Sequence, residues 1–448
     1  MKPKSLVHIT VALVCCPFLV CGQDPDGGGY QKWINGYYPQ WKVYSNFYPK
    51  LLVASGTAAR LDSLTYAFAV IRADANGNPR CATADEYADF QYLFTVNTSV
   101  DHTNDSAAPA LAGNFHQLQE LKERYPNLRI VLSIGGGAAP TAAFTAAADP
   151  KNRTAFVRSC MQGFIEGNFG MTTGLKPVWD PTSSEQPPIT ITPVPGIFDG
   201  IDIDWEWPTE AQKEEYVAFL EEFRRQLDGV RPGLLLTAAL PPGEENFSIM
   251  DLPGIARQVN YINLENYDYN GPWENTTGFV APLYQTQYDP DPTLNVNYTV
   301  QAYLAAGVPP EKILLGIPFY SYGWKVISSA QALAQNGQYV PATPLPSQPN
   351  TPPPNPPYNT EEYNYVVTNL LPIYEMFRDP ITKTPWLFDP VNTLNFFTYD
   401  DAESIHQKME YANANQLRGA AIWELTGDLP DGELVKTIFY GLREGAGY

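Results

Sequence analysis

Residues 198–208 read FDGIDIDWEWP, a stretch in which acidic and large apolar residues alternate. Side chains on a β-strand point alternately to its two faces, so Asp202, Asp204 and Glu206 share one face and the intervening apolar residues share the other. Pro208 has no backbone N–H to donate to a neighbouring strand and therefore ends the strand. The stretch predicts a buried strand with three carboxyl groups on one side.

Strand and helix patterns alternate on both sides of this stretch. After Pro208, for example, Tyr216, Leu220, Phe223 and Leu227 recur at helical spacing. Near-continuous apolar strands separated by helices are typical of a parallel sheet, and eight of them predict an α/β fold of the (β/α)8 TIM barrel type. The predicted strands are 33–38, 64–71, 129–134, 197–206, 234–239, 261–267, 313–319 and 419–424.

The first 22 residues have the pattern of a secretory signal peptide. Lys2 and Lys4 precede an apolar run, and small residues at positions 20–22 suit cleavage. The run is about 15 residues long, whereas a membrane-spanning helix needs roughly 20. We therefore expect a secreted, extracellular protein with no membrane partner.

The remaining chain divides by composition. Residues 23–30 are a short linker, 31–324 hold barrel strands one to seven, and 396–448 hold the eighth strand and a C-terminal helix. Residues 325–395 form a proline-rich insertion between strands seven and eight. Its densest part, Pro341 to Pro357, is more typical of an extended spacer than of a docking segment or a cleft wall.

The charge balance limits the expected partners. The chain has 448 residues, with 28 Lys and Arg against 48 Asp and Glu, and a formal net charge of −20. Neutralising phosphate needs clustered basic residues, so a nucleic-acid partner is disfavoured. We expect a monomer that binds a neutral polymer or small molecule. No cofactor or metal is predicted, because the four histidines are not spaced as paired ligands.

Two cysteines, Cys81 and Cys160, remain after removal of the signal. They can pair in an oxidising compartment, although spacing alone does not decide whether a disulfide forms. The mature chain also has six candidate N-glycosylation sites in Asn-x-Ser/Thr sequons, at Asn97, Asn104, Asn152, Asn246, Asn275 and Asn297.

Three inward carboxyl groups on one strand favour acid–base chemistry. Like charges at this spacing raise the pKa of at least one group. Glu206, the last of the row, is the predicted general acid. A divalent-metal site and a solvated edge strand are the alternatives, which the scarcity of histidine and the large apolar alternate residues disfavour.

The row of Asp199, Asp202, Asp204 and Glu206 resembles the signature of glycoside hydrolase family 18, the chitinases. Asp199 is an odd number of residues from Asp202, so its side chain falls on the opposite face of the strand. We expect only a supporting role for it. Further segments resemble the family in the same order along the chain, namely GYY (36–38), SIGG (133–136), YD (267–268), GPWE (271–274), GIPFY (316–320), YDD (399–401) and AIWE (421–424).

The resemblance implies substrate-assisted catalysis. Glu206 would protonate the glycosidic oxygen, and the acetamido carbonyl of the sugar would attack the anomeric carbon. Asp204 would hold the acetamido N–H and share a proton with Asp202, while Tyr267 would donate to the acetamido carbonyl. The implied supporting and substrate-binding residues are Tyr37 and Ser133, which donate to Asp202, and Asp268, Tyr320, Trp273 and Trp423, which contact sugar. The resemblance leaves Trp41 and Trp324 open between cleft and core.

Two positions depart from the family pattern. Glu265 stands where the family usually has Met, and its parity with Tyr267 points it into the barrel beside the substrate. There it would either raise the pKa of Glu206 further or occupy a hydrogen bond that the substrate needs. Ser321 and Tyr322 stand where the family commonly has Gly-Arg.

The resemblance implies a retaining, endo-type glycosidase that hydrolyses β-1,4-linked N-acetylglucosamine polymers, chitin or chitooligosaccharides. Two alternatives stay open, a non-catalytic chitin-binding lectin or decoy and an endo-β-N-acetylglucosaminidase that acts on glycoprotein glycans. Lectin relatives typically replace the acid, so the presence of Glu206 favours a hydrolase.

Overall fold

The computed structural model describes residues 31–105, 111–169, 193–346 and 360–443. The residues described from Lys32 onward form one compact unit. The predicted signal peptide and the linker 23–30 lie outside the described residues, as does much of the proline tract of the insertion. None of the described helices is long and apolar enough to cross a membrane.

Eight of the described strands close into a parallel barrel, which confirms the predicted fold. In chain order the described strands are β1 Trp33–Pro39, β2 Ser63–Ala73, β3 Pro79–Thr83, β4 Arg129–Gly135, β5 Gly200–Asp204, β6 Leu235–Leu240, β7 Tyr261–Leu264, β8 Ile313–Pro318, β9 Tyr320–Val326, β10 Ala342–Pro344, β11 Thr360–Glu362, β12 Glu375–Arg378, β13 Pro385–Phe388, β14 Asn395–Thr398 and β15 Gly419–Trp423. The barrel order is β1-β15-β8-β7-β6-β5-β4-β2, and pairing of β1 with β2 closes it.

Helices cover the outer face of the barrel. The helix Lys213–Val230 buries the four residues of its predicted apolar stripe. Trp205, on the outward face of the acidic strand's extension, is 1% exposed, and its ring stacks on Phe144 and meets Tyr216 edge-on. Within the described residues, the α-helices of four residues or more are Pro49–Ala54, Glu86–Phe90, Gly113–Arg124, Thr141–Ala148, Arg153–Cys160, Lys213–Val230, Glu244–Phe247, Leu252–Gln258, Val296–Ala305, Ala330–Ala334, Ala402–Ala414 and Glu433–Arg443.

The insertion forms a second sheet of six strands, in which β9 to β14 pair with one another. Its first strand begins at Tyr320, two residues after the end of β8 at Pro318, and so starts before the predicted boundary at 325. Trp324 and Trp386 are buried in the core of this sheet, against Phe396 and Phe279. Trp324, which the sequence left open, is therefore a core residue.

Gly135 lets the ends of β4 and β5 approach closely. Its φ is +126°, a conformation that favours glycine. A Cβ at this position would lie 1.9 Å from the backbone oxygen of Asp204. Any side chain here would push the end of β4 away from the end of β5, the strand that carries Asp202 and Asp204.

Cys81 and Cys160 are both buried, and the structure has them as free thiols. Cys81 lies on β3, and its backbone N–H donates to the hydroxyl of Ser159 on the adjacent helix. Burial, followed by a hydrogen bond between the two thiols, raises the pKa of Cys160 well above its ordinary value. The topology brings the two thiols together without a covalent link between them.

A buried ion pair attaches the helix Ala402–Ala414 to the segment that follows β14. The ammonium of Lys408 contacts the carboxylate of Asp400, and both side chains are almost fully buried. Ser404 donates a second hydrogen bond to Asp400, at 2.7 Å. Replacing one member alone would leave a buried charge without a partner.

We predict that Lys408→Met lowers the free energy of unfolding by about 3–5 kcal/mol, because Asp400 keeps its burial and loses its counter-ion. Urea denaturation monitored by circular dichroism measures the change. The double variant Lys408→Met/Asp400→Leu should recover most of the loss. Equal stability of the single and double variants would contradict the assignment.

Candidate active site

A cleft of about 330 Å³ opens at the carboxyl ends of the barrel strands. Its lining contains Asp204 and Glu206 from the acidic row, and Trp423 at the end of β15. Loops after other strands contribute further residues, and the cleft therefore draws on distant parts of the chain. The predicted residues Glu265, Tyr267, Asp268 and Tyr320 line it as well.

Asp202 lies beneath the cleft inside the barrel and is 0% exposed. Its Oδ2 accepts hydrogen bonds from Tyr37 at 3.0 Å and Ser133 at 2.8 Å, the two donors that the resemblance implied. Its Oδ1 accepts from Thr237 at 2.5 Å and Asn263 at 3.1 Å. Burial raises the pKa of Asp202, and these four hydrogen bonds oppose the shift.

Thr237 and Asn263 are two polar residues that sequence reasoning missed. Each is a polar residue inside an apolar strand, and β-pairing sets Thr237 directly beside Asp202. The Nδ2 group of Asn263 also donates to the hydroxyl of Tyr37, at 3.0 Å. The sequence signal for both was a single polar residue at a position of an apolar barrel strand where the side chain points inward.

Asp204 is the next carboxyl toward the cleft and is 3% exposed. Its Oδ1 is buried and has no hydrogen-bond partner in the described part of the chain. Burial, followed by the charges of Glu206 and Asp202, raises the pKa of Asp204 well above its ordinary value. Asp204 therefore keeps its proton at a higher pH than an ordinary aspartic acid does.

Glu206 stands two residues beyond the end of β5, partly buried in the mouth of the cleft. A Cβ at Gly137 would lie only 3.1 Å from its Oε2, so the glycine leaves room for the carboxyl group. Burial, followed by the charge of Asp268, raises the pKa of Glu206 to about 7. Glu206 can thus donate a proton at neutral and mildly acid pH.

Glu265 lies in the cleft beside Tyr267, whose hydroxyl donates to its Oε1 at 3.2 Å. Burial, followed by the charges of Glu206, Asp204 and Asp268, raises the pKa of Glu265 well above its ordinary value. The sequence left two effects of Glu265 open, a further rise in the pKa of Glu206 and the occupation of a hydrogen bond that the substrate needs. The contact with the Tyr267 hydroxyl favours the second. The charge that raises the pKa of Glu206 is that of Asp268.

Asp268 is held by two tyrosines of the insertion sheet. The hydroxyl of Tyr320 donates to its Oδ1 at 2.5 Å, and Tyr322 also donates to the carboxylate. Burial raises the pKa of Asp268, and these two hydrogen bonds oppose the shift. Tyr322, one of the departures from the family pattern, therefore contacts a cleft carboxylate.

Aromatic rings form the floor and one edge of the cleft. Trp423 packs against Tyr37, with ring centroids 5.3 Å apart, and stacks on Phe68 at 5.8 Å. Trp41, which the sequence left open between cleft and core, also lines the cleft. Trp273 is 52% exposed and stands edge-on to Tyr322 at 5.7 Å, which places it beside the cleft.

Asp199, for which only a supporting role was expected, lies outside this constellation. Its carboxylate contacts Lys122 at 2.7 Å and Arg231 at 3.2 Å. These ion pairs fix the beginning of β5 to the surrounding helices.

Three carboxyl groups, those of Asp204, Glu206 and Glu265, bring oxygens within 4.8 Å of one another. This spacing would suit a cation, and it also suits carboxyl groups that share protons. Metal ligands must be deprotonated, and the pKa of each of the three groups is raised, so proton sharing is favoured.

The sequence model of the family described as glycosyl hydrolases family 18 matches residues 34–428. The chain belongs to this family. Chitinase A1 of Niallia circulans is 30% identical over 440 residues, which cover 88% of this chain and 56% of the relative. Chitinase C of Streptomyces lividans is 30% identical over 430 residues, which cover 92% of this chain and 60% of the relative. The chain thus spans less than two thirds of these family 18 relatives.

Among solved structures, the catalytic domain of psychrophilic chitinase B from Arthrobacter TAD20 is similar over nearly the whole chain. The superposition has a TM-score of 0.77 at 29% sequence identity and covers 93% of this chain and 96% of that structure. Together with the family match, this similarity confirms the family predicted from the sequence.

We predict that the Glu206 carboxyl titrates near pH 7, the value to which burial and Asp268 raise its pKa. Asp268→Asn removes the neighbouring negative charge and should lower that pKa. Carboxyl chemical shifts of 13C-labelled glutamate measure it. Glu210→Gln, an exposed glutamate outside the cleft, is the control and should leave the titration unchanged. An unchanged titration in Asp268→Asn would refute this account.

Proposed function

We propose that the protein is a secreted, retaining, endo-type glycosidase that hydrolyses β-1,4-linked N-acetylglucosamine polymers, chitin or chitooligosaccharides. The observation that carries this proposal is the carboxyl of Glu206 in the cleft mouth, with its pKa raised to about 7 directly above the buried pair Asp202 and Asp204. The names of the relatives, all chitinases, support the substrate class.

In the first step, Glu206 donates its proton to the glycosidic oxygen as the bond from that oxygen to the anomeric carbon breaks. The carbonyl oxygen of the sugar's own acetamido group forms the new bond to the anomeric carbon. The product is a cyclic oxazolinium ion, and Glu206 is left as a carboxylate. No protein side chain acts as the nucleophile, which matches the substrate-assisted exception among glycosidases.

Asp204 accepts the acetamido N–H and stabilises the positive charge that develops on the ring. Its Oδ1 has no hydrogen-bond partner in the described residues and is free to take this one. In the free protein Asp202, which has four donors, is the better site for negative charge, and the proton shared by the pair resides mainly on Asp204. As positive charge develops on the sugar, this proton passes to Asp202 and leaves Asp204 as the carboxylate.

Tyr267 directs its hydroxyl to the acetamido carbonyl and orients it for attack. In the free protein that hydroxyl donates to Glu265, 3.2 Å away. Glu265 therefore acts as the acceptor that the substrate carbonyl replaces on binding. Exchanging one acceptor for another avoids leaving the buried Tyr267 hydroxyl unpaired.

In the second step, the Glu206 carboxylate removes a proton from a water molecule that attacks the anomeric carbon. The oxazolinium ring opens, Glu206 regains its proton, and two displacements at one carbon leave the original configuration. Trp423 supports the sugar at which the bond is cut by stacking on its apolar face, and Trp273 supports the next sugar. Asp268 binds the distorted sugar.

Export and glycosylation belong to the same proposal. The signal-peptide pattern of residues 1–22 supports secretion, and three sequon asparagines, Asn97, Asn104 and Asn275, are exposed. The other three, Asn152, Asn246 and Asn297, are half-buried. Glycans are therefore expected at the first three, and a glycan at Asn275 would stand near Trp273.

We predict that Glu206→Gln lowers kcat on a fluorogenic chitooligosaccharide by about 10²–10⁴-fold, because the proton donor is lost. Binding of the oligomer, measured by isothermal titration calorimetry, should survive. Glu210→Gln, an exposed glutamate four residues away, is the matched control and should retain full turnover. A native chain that binds chitooligosaccharides without turnover would instead be a lectin.

We predict that hydrolysis requires the acetamido group, because it supplies the nucleophile. Glucosamine oligomers of the same length should not be cleaved, and NMR should show the β-anomer as the first product of N-acetylated oligomers. Equal cleavage of both oligomers, or an initial α-anomer, would exclude substrate assistance. Preferred cleavage of a high-mannose glycopeptide would assign the same site to glycoprotein glycans.

A further inference from the structure

A second cavity lies along the helix Val296–Ala305, which follows the long loop after β7. Its volume is about 530 Å³. The loop contributes Tyr284 and Gln285 to its lining, and the helix contributes Tyr298 and Gln301. Within the described residues, this lining has no member in common with that of the cleft. This cavity, the outer groove, is therefore a separate place on the molecule.

Neutral side chains line the outer groove. Its described lining has no acidic or basic side chain, although the chain as a whole has a formal net charge of −20. A tyrosine ring offers an apolar face, and a carboxamide both donates and accepts hydrogen bonds. A sugar unit has the matching features, an apolar ring face and polar substituents at its edge, so the lining suits a neutral sugar. The rings and carboxamides are those of Tyr284, Tyr298, Gln285, Asn295, Asn297 and Gln301.

A chain of hydrogen bonds orients two of these carboxamides. Nε2 of Gln301 donates to the hydroxyl of Tyr411 at 3.2 Å and to Oδ1 of Asn415 at 3.0 Å. The Tyr411 hydroxyl donates in turn to Oδ1 of Asn297, at 3.0 Å. This chain does not use Oε1 of Gln301 or Nδ2 of Asn297, which can accept from and donate to a sugar.

The two tyrosines of the lining are held as well. Tyr284 packs edge-on against Tyr411, with ring centroids 6.0 Å apart. The hydroxyl of Tyr298 donates to Oε2 of Glu244 at 2.6 Å, and its backbone N–H donates to Oδ1 of Asn295, the residue that caps the helix. Rings fixed in this way lose little conformational freedom when a ligand covers them.

The outer groove and the cleft share one loop. The chain leaves β7 with Tyr267 and Asp268 in the cleft, and it reaches Tyr284 in the groove before the helix begins. The buried hydroxyl of Tyr269 donates to Thr299 of the helix at 2.8 Å and so ties the start of the loop to the helix. A polymer bound in the groove would stay near the cleft, which raises its effective concentration there.

We propose that the outer groove is a second binding site for sugar units of an N-acetylglucosamine polymer, separate from the cleft. The inference rests on the proposed function and extends it, because a second site would retain a long or insoluble chain during hydrolysis. The sequon residue Asn297 lines the groove, and a glycan attached there would occupy it. The glycans expected at Asn97, Asn104 and Asn275 leave the groove open.

The test measures partition onto insoluble chitin in the Glu206→Gln background, where hydrolysis does not consume the ligand, with protein produced without glycans. Tyr284→Ala/Tyr298→Ala should weaken this partition about three- to tenfold, because ring contacts are lost. Tyr125→Ala, which removes a half-buried ring at the end of the helix Gly113–Arg124, is the matched control. With Glu206 restored, the double variant should cleave a soluble fluorogenic chitooligosaccharide within about twofold of the unaltered rate, because the cleft is intact.

A second variant blocks the outer groove without removing a contact. Ala305 is exposed, lines the groove and ends the helix, so Ala305→Arg places a long side chain there at a helix end that favours positive charge. It should also weaken partition onto chitin about threefold or more. Ala306→Arg adds the same side chain at the next exposed position, outside the described lining, and should leave partition unchanged.

Unchanged partition of the double tyrosine variant, or an equal loss in Tyr125→Ala or Ala306→Arg, would overturn the inference. A glycan on Asn297 of the secreted protein would also overturn it, as would equal tyrosine-dependent partition onto cellulose, which has no N-acetyl groups. Failure of the proposed function is a different result. A chain with Glu206 that does not cleave soluble oligomers would refute the hydrolase, whereas normal cleavage with unchanged partition of the groove variants would refute the second site alone.

Discussion

The hydrogen bonding of one buried carboxyl group, that of Asp202, connects the fold to the site. A carboxyl inside a protein is costly unless donors compensate for its lost hydration. Its four donors come from β1, β4, β6 and β7, so these strands and β5 must share one register around the barrel. Barrel closure therefore also assembles the base of the active site.

The number of hydrogen bonds that the carboxyl groups accept falls from Asp202 toward the cleft mouth. Asp202 has four donors, and Asp204 has an Oδ1 without a partner in the described residues. Glu206 stands at the mouth, with its pKa raised by burial and by Asp268. The gradient favours negative charge at the base and a transferable proton at the mouth, which is the distribution that proton donation to a glycosidic bond needs.

The insertion completes the cleft rather than standing apart from the barrel. Tyr320 and Tyr322, on its first strand, both donate to Asp268, and that carboxylate in turn raises the pKa of Glu206. Where the family commonly carries an arginine, Tyr322 supplies a neutral donor. Glu265 likewise takes a position usual for Met and gives the buried hydroxyl of Tyr267 an acceptor.

The sequence alone determined those features that depend on residues close together in the chain. Strand parity put Asp202, Asp204 and Glu206 on one face, helical spacing predicted the buried stripe of Lys213–Val230, and motif order predicted the family. Tertiary structure alone decided which elements meet. It brought Thr237 and Asn263 to Asp202, buried Trp324, placed Trp41 in the cleft, and set Cys81 beside Cys160 without a bond between them. Those contacts join residues far apart in the chain, and they depend on strand order and register around a closed barrel, which no local pattern of residues encodes.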